Sequence, residues 1–139
     1  MTELCDLSAS RLGTMIRTKE ASPVEIMESC IARTQSVNGA LNAMVTPAFD
    51  TAFAAARAAE DALMRGDDLG LIHGLPVMVK DLDTTSGIRT TYGSRMHQHD
   101  IPDADQGSVA RIKAQGGIVL GKTNTPEFGA GGNTRNMLF

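Results

Sequence analysis

The sequence predicts an α/β fold, with helices over residues 1–70 and a strand–helix–strand unit over residues 71–139. Apolar residues recur at helical spacing through the first half. The second half instead contains two continuous apolar runs, at 75–79 and 118–120, with a helical segment between them. A strand, a helix and a second strand in this order are typical of a parallel pair, which needs a crossover connection. The chain shows no repeat or low-complexity linker, so we expect one domain.

The first two helices are predicted from spacing and from start signals. Leu12 and Ile16 share one helical face and predict a short helix that ends before Ala21. The next start is marked by Ser22–Glu25, which combines a hydroxyl at the cap, a proline at the first helical position and a glutamate three residues after the cap. We expect this helix to end near Asn38-Gly39, because both residue types tolerate the left-handed conformation of a C-terminal cap.

The remaining elements follow from composition and from short apolar runs. Leu41–Val45 is too short for its periodicity to distinguish a strand from an extended connection. The alanine-rich stretch from 46 to 65 carries its aromatic residues on one side and its charges opposite, which predicts the clearest helix. Leu75–Val79 predicts a buried strand, Gln106–Gln115 a helix and Ile118–Leu120 a second buried strand.

The composition argues against several classes of partner. With 42% hydrophobic and 21% charged residues, the chain resembles ordinary globular proteins. Its net charge of −3, its singly scattered lysines and arginines, and its 4% aromatic content argue against a nucleic-acid partner. No apolar run has membrane-spanning length and the N-terminus is acidic, so we expect a cytoplasmic protein without a membrane partner. Cys5 and Cys30 form no metal-binding pair, and we expect two reduced thiols.

Residues 116–123 match the phosphate-loop pattern G-x-x-x-x-G-K-S/T letter for letter. Such a loop needs a flexible turn after a strand and a helix that begins at the Lys-Thr pair. Here the positions between the glycines hold Ile118–Leu120, the predicted strand itself. Pro126 also follows too soon for a helix to run through Lys122 and Thr123. The context therefore argues against nucleotide binding.

The histidines and one lysine allow both a functional and a structural interpretation. His97 and His99 could converge on a metal ion from an extended segment, but no third ligand has a telling spacing, and a solvated loop is commoner. Lys80 follows a predicted buried strand, at the end where open α/β sheets place their chemistry. Burial there would disfavour the ammonium and provide a neutral base. The alternative is a charged lysine paired with Asp81 or Asp83.

Several motifs in the second half stand in one order and spacing. They are Gly74–Asp81, Thr90–Ser94, Asp103-Ala104, Val109–Ile112 and Gly121–Glu127. Taken together, these motifs resemble the amidase signature family, and the preceding helices are similar to that family's N-terminal region. The resemblance covers essentially the whole chain. Several motifs agreeing in register are far more specific than any one of them.

The resemblance implies a Ser-cisSer-Lys hydrolase with a mixed sheet wrapped in helices, which acts on a small-molecule carboxylic amide without a metal or organic cofactor. Lys80 matches the family's catalytic lysine. In that mechanism the neutral lysine takes a proton from a bridging serine, which takes one from the nucleophilic serine as it attacks the carbonyl. Residues 128–132 correspond to a loop that lines the acyl pocket. The substrate-binding residues that this implies are Gly129, Ala130, Gly131 and Gly132.

One departure from the family is an absence. The Gly-Gly-Ser-Ser-Gly-Gly motif and the nucleophilic serine of the family do not occur in residues 1–139. We therefore expect the N-terminal part of a single amidase-signature domain, with an incomplete sheet and no turnover by itself. The glycine-rich loop also departs from the Met-Gly-Ser-Ser type of the tRNA-dependent amidotransferase branch, which favours a general amidase. A competing hypothesis is an assembly module, whose open sheet edge pairs with a second copy or with a missing C-terminal portion.

Overall fold

The structure, a computed structural model, describes residues 3–139. Its helices are α1 (Ala9–Arg17), α2 (Pro23–Leu41), α3 (Phe49–Arg65) and α4 (Gly107–Ala114). Its strands are β1 (Met44–Pro47), β2 (Pro76–Lys80) and β3 (Ile118–Thr123). Single helical turns of the 3₁₀ type occur at Leu4–Asp6, Arg95–His97 and Glu127–Gly129. Residues 1 and 2, which belong to the predicted helical half, lie outside the described residues.

The three strands form one mixed sheet in the order β1-β3-β2. Strands β2 and β3 run parallel and are joined by a crossover that contains α4, which confirms the predicted strand–helix–strand unit. Strand β1, left open between strand and connection, pairs antiparallel with β3. The α/β fold class is confirmed, with helices in the first half and the parallel pair in the second. Within the described residues β3 is central, and β1 and β2 are the edges.

The predicted start of α2 is confirmed and its predicted end is wrong. The Ser22 hydroxyl accepts from the Glu25 backbone N–H, and the Glu25 carboxylate accepts from the Ser22 N–H at 2.8 Å. The helix continues past Asn38-Gly39 to Leu41, where Asn42 (φ 49°) takes the left-handed cap position. Asn38 stays helical because its side chain bonds both the N–H and the C=O of Met44. These two bonds connect the end of α2 to the start of β1.

The two faces of the sheet pack against different helices. On one face Ile118 and Leu120 of β3 join buried residues of α2 and α3, including Met27 and Ala56. On the other face Val79 and Val119 pack against Val109 of α4. Both faces are therefore covered at the centre of the sheet. No helix within residues 3–139 is long and apolar enough to cross a membrane.

Strand β3 contains a bulge that changes the direction of its later side chains. Val119 is the register partner of Val77, but Gly121 is the partner of Met78, so Leu120 is an extra residue on β3. Strict alternation would place Lys122 on the same face as Ile118 and Leu120. The bulge moves it to the face that carries α4, as bulges commonly re-aim side chains. This single extra residue determines the environment of Lys122.

Candidate active site

Lys80 lies at the carboxyl end of β2, as the sequence predicts, but its side chain is exposed rather than buried. Its register partner is Thr123, whereas the preceding Val79 pairs with Lys122. Because alternate residues of a strand point to opposite faces, Lys80 lies on the α2/α3 face and Lys122 on the α4 face. Within residues 3–139 Lys80 forms no ion pair with Asp81 or Asp83.

The chain turns back on itself directly after Lys80 through the carboxylate of Asp81. This side chain is fully buried and accepts hydrogen bonds from the backbone N–H of Thr91, at 3.0 Å, and from the Thr91 hydroxyl. The carbonyl of Asp81 accepts from the N–H of Tyr92 at 2.9 Å, and the N–H of Asp81 donates to Thr123. The Thr91 hydroxyl in turn accepts from Gly93. Asp81 thus binds the far end of the 81–94 loop to the end of β2.

The glycine-rich segment, residues 128–132, is attached to this same loop. The N–H of Phe128 donates to the carbonyl of Tyr92 at 2.7 Å. A Cβ placed on Gly129 would lie 2.7 Å from the side chain of Leu82, two residues after Lys80. The structure therefore brings Gly129 close to the loop that follows Lys80. Ala130, Gly131 and Gly132 continue outward as exposed residues.

An aromatic cluster stands beside Gly129. Tyr92 and Phe128 stack with ring centroids 6.4 Å apart, and the edge of His97 meets both rings, at 5.0 Å from Tyr92 and 5.9 Å from Phe128. Tyr92 (φ 56°) and Phe128 (φ 51°) both adopt the left-handed backbone region, which is costly for side chains of this size. Phe128 keeps 55% of its surface exposed. Backbone strain of this kind clusters at active sites and ligand-binding segments.

A second lysine, Lys122, is fully buried on the opposite face of the sheet and is not among the site residues predicted from the sequence. Its Nζ donates to the carbonyl of Asp83 and to the hydroxyls of Thr85 and Thr90, each hydroxyl at 3.0 Å. Lys122 also follows an apolar run, as Lys80 does, and this was the available signal. The phosphate-loop pattern drew attention to Lys122 only as a phosphate ligand, whereas the structure places it inside a strand.

Burial lowers the pKa of Lys122 to about 8, against the opposing effect of Asp81, Asp83 and Asp105. On α4, Lys113 forms an ion pair with Asp105 at 2.7 Å. Desolvation opposes ionisation of Asp105, but hydrogen bonds from Lys113 and from the Ser86 N–H together lower its pKa below the ordinary value. The α4 face is therefore rich in buried and half-buried charge near Lys122.

We expect the free energy of unfolding to rise by about 1 kcal/mol between pH 8 and pH 9. The pKa of Lys122 is about 8 when folded and 10.5 as its ordinary value, so the unfolded chain binds more protons in this interval. The penalty for burying the ammonium is complete below pH 8 and is relieved as the pH rises toward 10.5. Urea unfolding at constant ionic strength measures this rise in the free energy of unfolding.

Cys30 provides the internal control for this pH profile. Burial raises the pKa of its thiol above the ordinary value of 9.0. The stabilising contribution of this thiol to the free energy of unfolding is therefore lost as the pH rises above 9.0, which is opposite in sign to the effect of Lys122. A Cys30→Ala variant removes this opposing contribution and should keep the rise between pH 8 and pH 9. A flat or falling profile in both proteins over that interval contradicts the burial effect assigned to Lys122.

His97 and His99, which the sequence offered as possible metal ligands, lie in different surroundings. His97 pairs with Asp100 at 2.6 Å and packs against Tyr92, while His99 is exposed. Among the described residues, ligand atoms of Glu3, Cys5 and Asp6 lie within 4.8 Å of one another. Arg33 already pairs with both carboxylates of this exposed group. That group therefore forms an ion-pair cluster between the first turn and α2.

A family model matches most of the chain. Residues 25–139 match the family model described as Amidase. The chain belongs to the amidase family. The match covers β2, the 81–94 loop, β3 and the glycine-rich segment, so it includes every element that forms the candidate site. The mixed sheet that the resemblance implied is present as three strands.

Relatives in this family carry two kinds of name. The chain is 39% identical over 137 residues to a glutamyl-tRNA(Gln) amidotransferase subunit of Geotalea daltonii, and 34% identical over 139 residues to the protein of the same name from Streptomyces coelicolor. Among solved structures it is 29% identical to a bacterial aryl acylamidase of the amidase signature family, with a TM-score of 0.89 over 95% of this chain. It is also 29% identical to 6-aminohexanoate cyclic dimer hydrolase, with a TM-score of 0.83 over 99%.

The chain spans only part of each of these proteins. It covers 28% of the two amidotransferase proteins, 28% of the aryl acylamidase chain and 27% of the cyclic dimer hydrolase chain. These relatives therefore extend well beyond the region matched by residues 1–139.

Proposed function

We propose that residues 1–139 supply the catalytic lysine and part of the acyl pocket of an amidase that hydrolyses the C–N bond of carboxylic amides. The observation that carries this proposal is the position of Lys80. It stands at the carboxyl end of β2 inside the matched Amidase region, next to the loop that contacts Gly129. Its exposure on the α2/α3 face leaves the amine accessible to further groups.

Lys80 acts in this proposal as the general base. As the family resemblance implies, its amine acts in the neutral form and removes a proton from a bridging serine, which removes one from the nucleophilic serine during attack on the amide carbonyl. Lys80 then returns the proton through the bridging serine to the nitrogen of the departing substrate amine, and water releases the acyl group from the serine as a carboxylic acid. Residues 1–139 contain no Gly-Gly-Ser-Ser-Gly-Gly motif to provide these serines. The chain therefore needs the two groups from outside residues 1–139 and does not turn over amides by itself.

The acyl pocket in this proposal includes Gly129, Ala130, Gly131 and Gly132. Gly129 contacts the loop after Lys80 and lies beside the exposed ring of Phe128, which supports an apolar substrate group at this place. The segment reads Phe-Gly-Ala-Gly at 128–131 rather than Met-Gly-Ser-Ser. That difference supports a general amidase over the amidotransferase branch, and it makes N-aryl and simple primary carboxamides the substrates to test first.

The test reads the gene past the codon for Phe139 and compares the longer product with residues 1–139 alone. We expect the longer product to contain a Gly-Gly-Ser-Ser-Gly-Gly segment and to release amine from a panel of N-aryl and primary amides. Residues 1–139 alone should release none. Hydrolysis by the 139-residue chain itself, or a longer product that contains the serines and releases no amine from the panel, contradicts the proposal.

The competing assembly-module hypothesis draws on strand β2. Its outer edge has no strand partner within residues 3–139, and Met78 on this strand is 53% exposed. An unpaired edge with an apolar side chain is a typical site for strand pairing. Two measurements distinguish the assembly module from the amidase. Light scattering of residues 1–139 after size-exclusion chromatography tests the assembly module, and a monomer at all concentrations counts against it. The gene sequence tests the amidase, and a reading frame that stops at Phe139 counts against it.

A further inference from the structure

Lys122 is held as a fully bonded ammonium ion. Its three acceptors are the Asp83 carbonyl and the hydroxyls of Thr85 and Thr90. Each hydroxyl donates its own proton to a backbone carbonyl. Thr85 donates to the carbonyl of Asp83 at 3.1 Å, and Thr90 donates to the carbonyl of Ile88 at 3.2 Å. Both hydroxyls must therefore accept from Nζ. An ammonium has three protons for three acceptors, whereas a neutral amine has two.

All three acceptors belong to the 81–94 loop, while Lys122 belongs to the central strand. The side chain is therefore a cross-link between β3 and residues 83–90. Thr90 is followed directly by Thr91 and Tyr92, which bond the carboxylate and the carbonyl of Asp81. The same Tyr92 carbonyl accepts from Phe128. A series of direct hydrogen bonds and neighbouring residues thus connects Lys122 to Asp81, which follows Lys80, and to Phe128, which precedes Gly129.

We infer that Lys122 is a positioning residue, which acts from the far face of the sheet to hold the 81–94 loop and thereby the backbone at Lys80 and at Phe128-Gly129. This inference rests on the proposed function for the meaning of those two positions. The charged groups that face Lys122 are Asp81, Asp83, Asp105 and Lys113. Lys122 and Lys80 point to opposite faces of the sheet, so Lys122 acts on Lys80 only through the backbone.

The test removes one acceptor at a time and leaves the lysine in place. Thr85→Val and Thr90→Val each replace a buried hydroxyl by a methyl group of similar size. Thr85→Ser restores the hydroxyl. Thr84→Val is the matched control, because Thr84 is adjacent in sequence and its side chain is not an acceptor of Lys122. All four variants are made in the 139-residue chain.

Two measurements follow the loop and the amine of Lys80. Amide hydrogen exchange reports opening at Thr91 and Tyr92, with Ile26 in the core as the internal reference. The NMR signal of ¹³C-methylated Lys80, assigned from a Lys80→Arg variant, reports the surroundings of the amine and is titrated with pH. We expect both valine variants to exchange about tenfold faster at Thr91 and Tyr92 than wild type, with a changed Lys80 titration.

The controls separate positioning from general stability. Thr85→Ser and Thr84→Val should keep wild-type exchange and a wild-type Lys80 titration. The inference is overturned if the valine variants leave Thr91, Tyr92 and the Lys80 signal unchanged. It is overturned equally if exchange at Ile26 rises by the same factor, or if both valine variants fail to fold, because the effect is then global. No amide is turned over in these measurements, so the result is independent of the hydrolysis assay.

Discussion

Replacement of Lys80 by alanine is expected to lower kcat/KM for amide hydrolysis by about a thousandfold in a protein that contains residues 1–139 together with the two serines of the proposed mechanism. In the proposed mechanism Lys80 acts as a general base in the transition state, where it removes the proton of the bridging serine. Because its role is in the chemical step, we expect kcat to fall while KM changes little. Steady-state release of amine from a saturable N-aryl amide measures both quantities. Lys80 is exposed in residues 3–139, so the loss should come without a loss of stability in the 139-residue chain.

Two further variants make the Lys80 prediction specific. Lys80→Arg keeps a positive charge but cannot give up a proton near neutral pH, so it should be as inactive as the alanine variant. Lys19→Ala, at an exposed position outside the candidate site, should keep wild-type activity. Activity retained in Lys80→Arg would show that charge alone is needed and would exclude the base mechanism. Activity retained in Lys80→Ala would show that Lys80 has no role in the reaction.

The two lysines show how far sequence reasoning reaches at this site. Lys80 and Lys122 both follow short apolar runs that end a predicted strand. Sequence position alone therefore places both at the carboxyl end of a parallel pair, and the structure agrees. Sequence position does not reveal which of the two lysine amines is buried, because burial depends on the bulge at Leu120 and on a loop that returns to the sheet. The desolvation expected at Lys80 occurs instead at Lys122.

Elsewhere the accuracy of the predictions depends on how local the determining contacts are. The start of α2 is specified by Ser22 and Glu25, three residues apart, and the structure confirms both capping bonds. The end of α2 depends on Asn38 bonding Met44 of the following strand, and the predicted end is wrong by a few residues. Strand β1 has four residues and pairs with a strand about 75 positions later in sequence, so its own pattern could not establish it.

The phosphate-loop match at 116–123 has a structural explanation in the position of its third glycine. Gly121 lies in central strand β3 beside the bulge, where β1 approaches closely. A Cβ at this position would lie 2.7 Å from the Thr46 carbonyl oxygen, 2.9 Å from Met44 Sδ and 3.1 Å from Pro47 Cα. Two of these atoms are backbone and cannot rotate away. Glycine is therefore required here by strand packing, which accounts for this glycine of the pattern without any phosphate.

We accordingly expect Gly121→Ala to lower the free energy of unfolding by about 3 kcal/mol, because the added methyl group must push β1 away from β3. Gly107→Ala is the matched control. A Cβ there meets no atom within 4 Å at the start of α4, so this substitution should stabilise the chain by about 0.5 kcal/mol. Urea unfolding of both variants measures the difference. A Gly121→Ala chain as stable as wild type would mean that β1 is not held against β3 in solution, and the mixed sheet would then be reduced to its parallel pair.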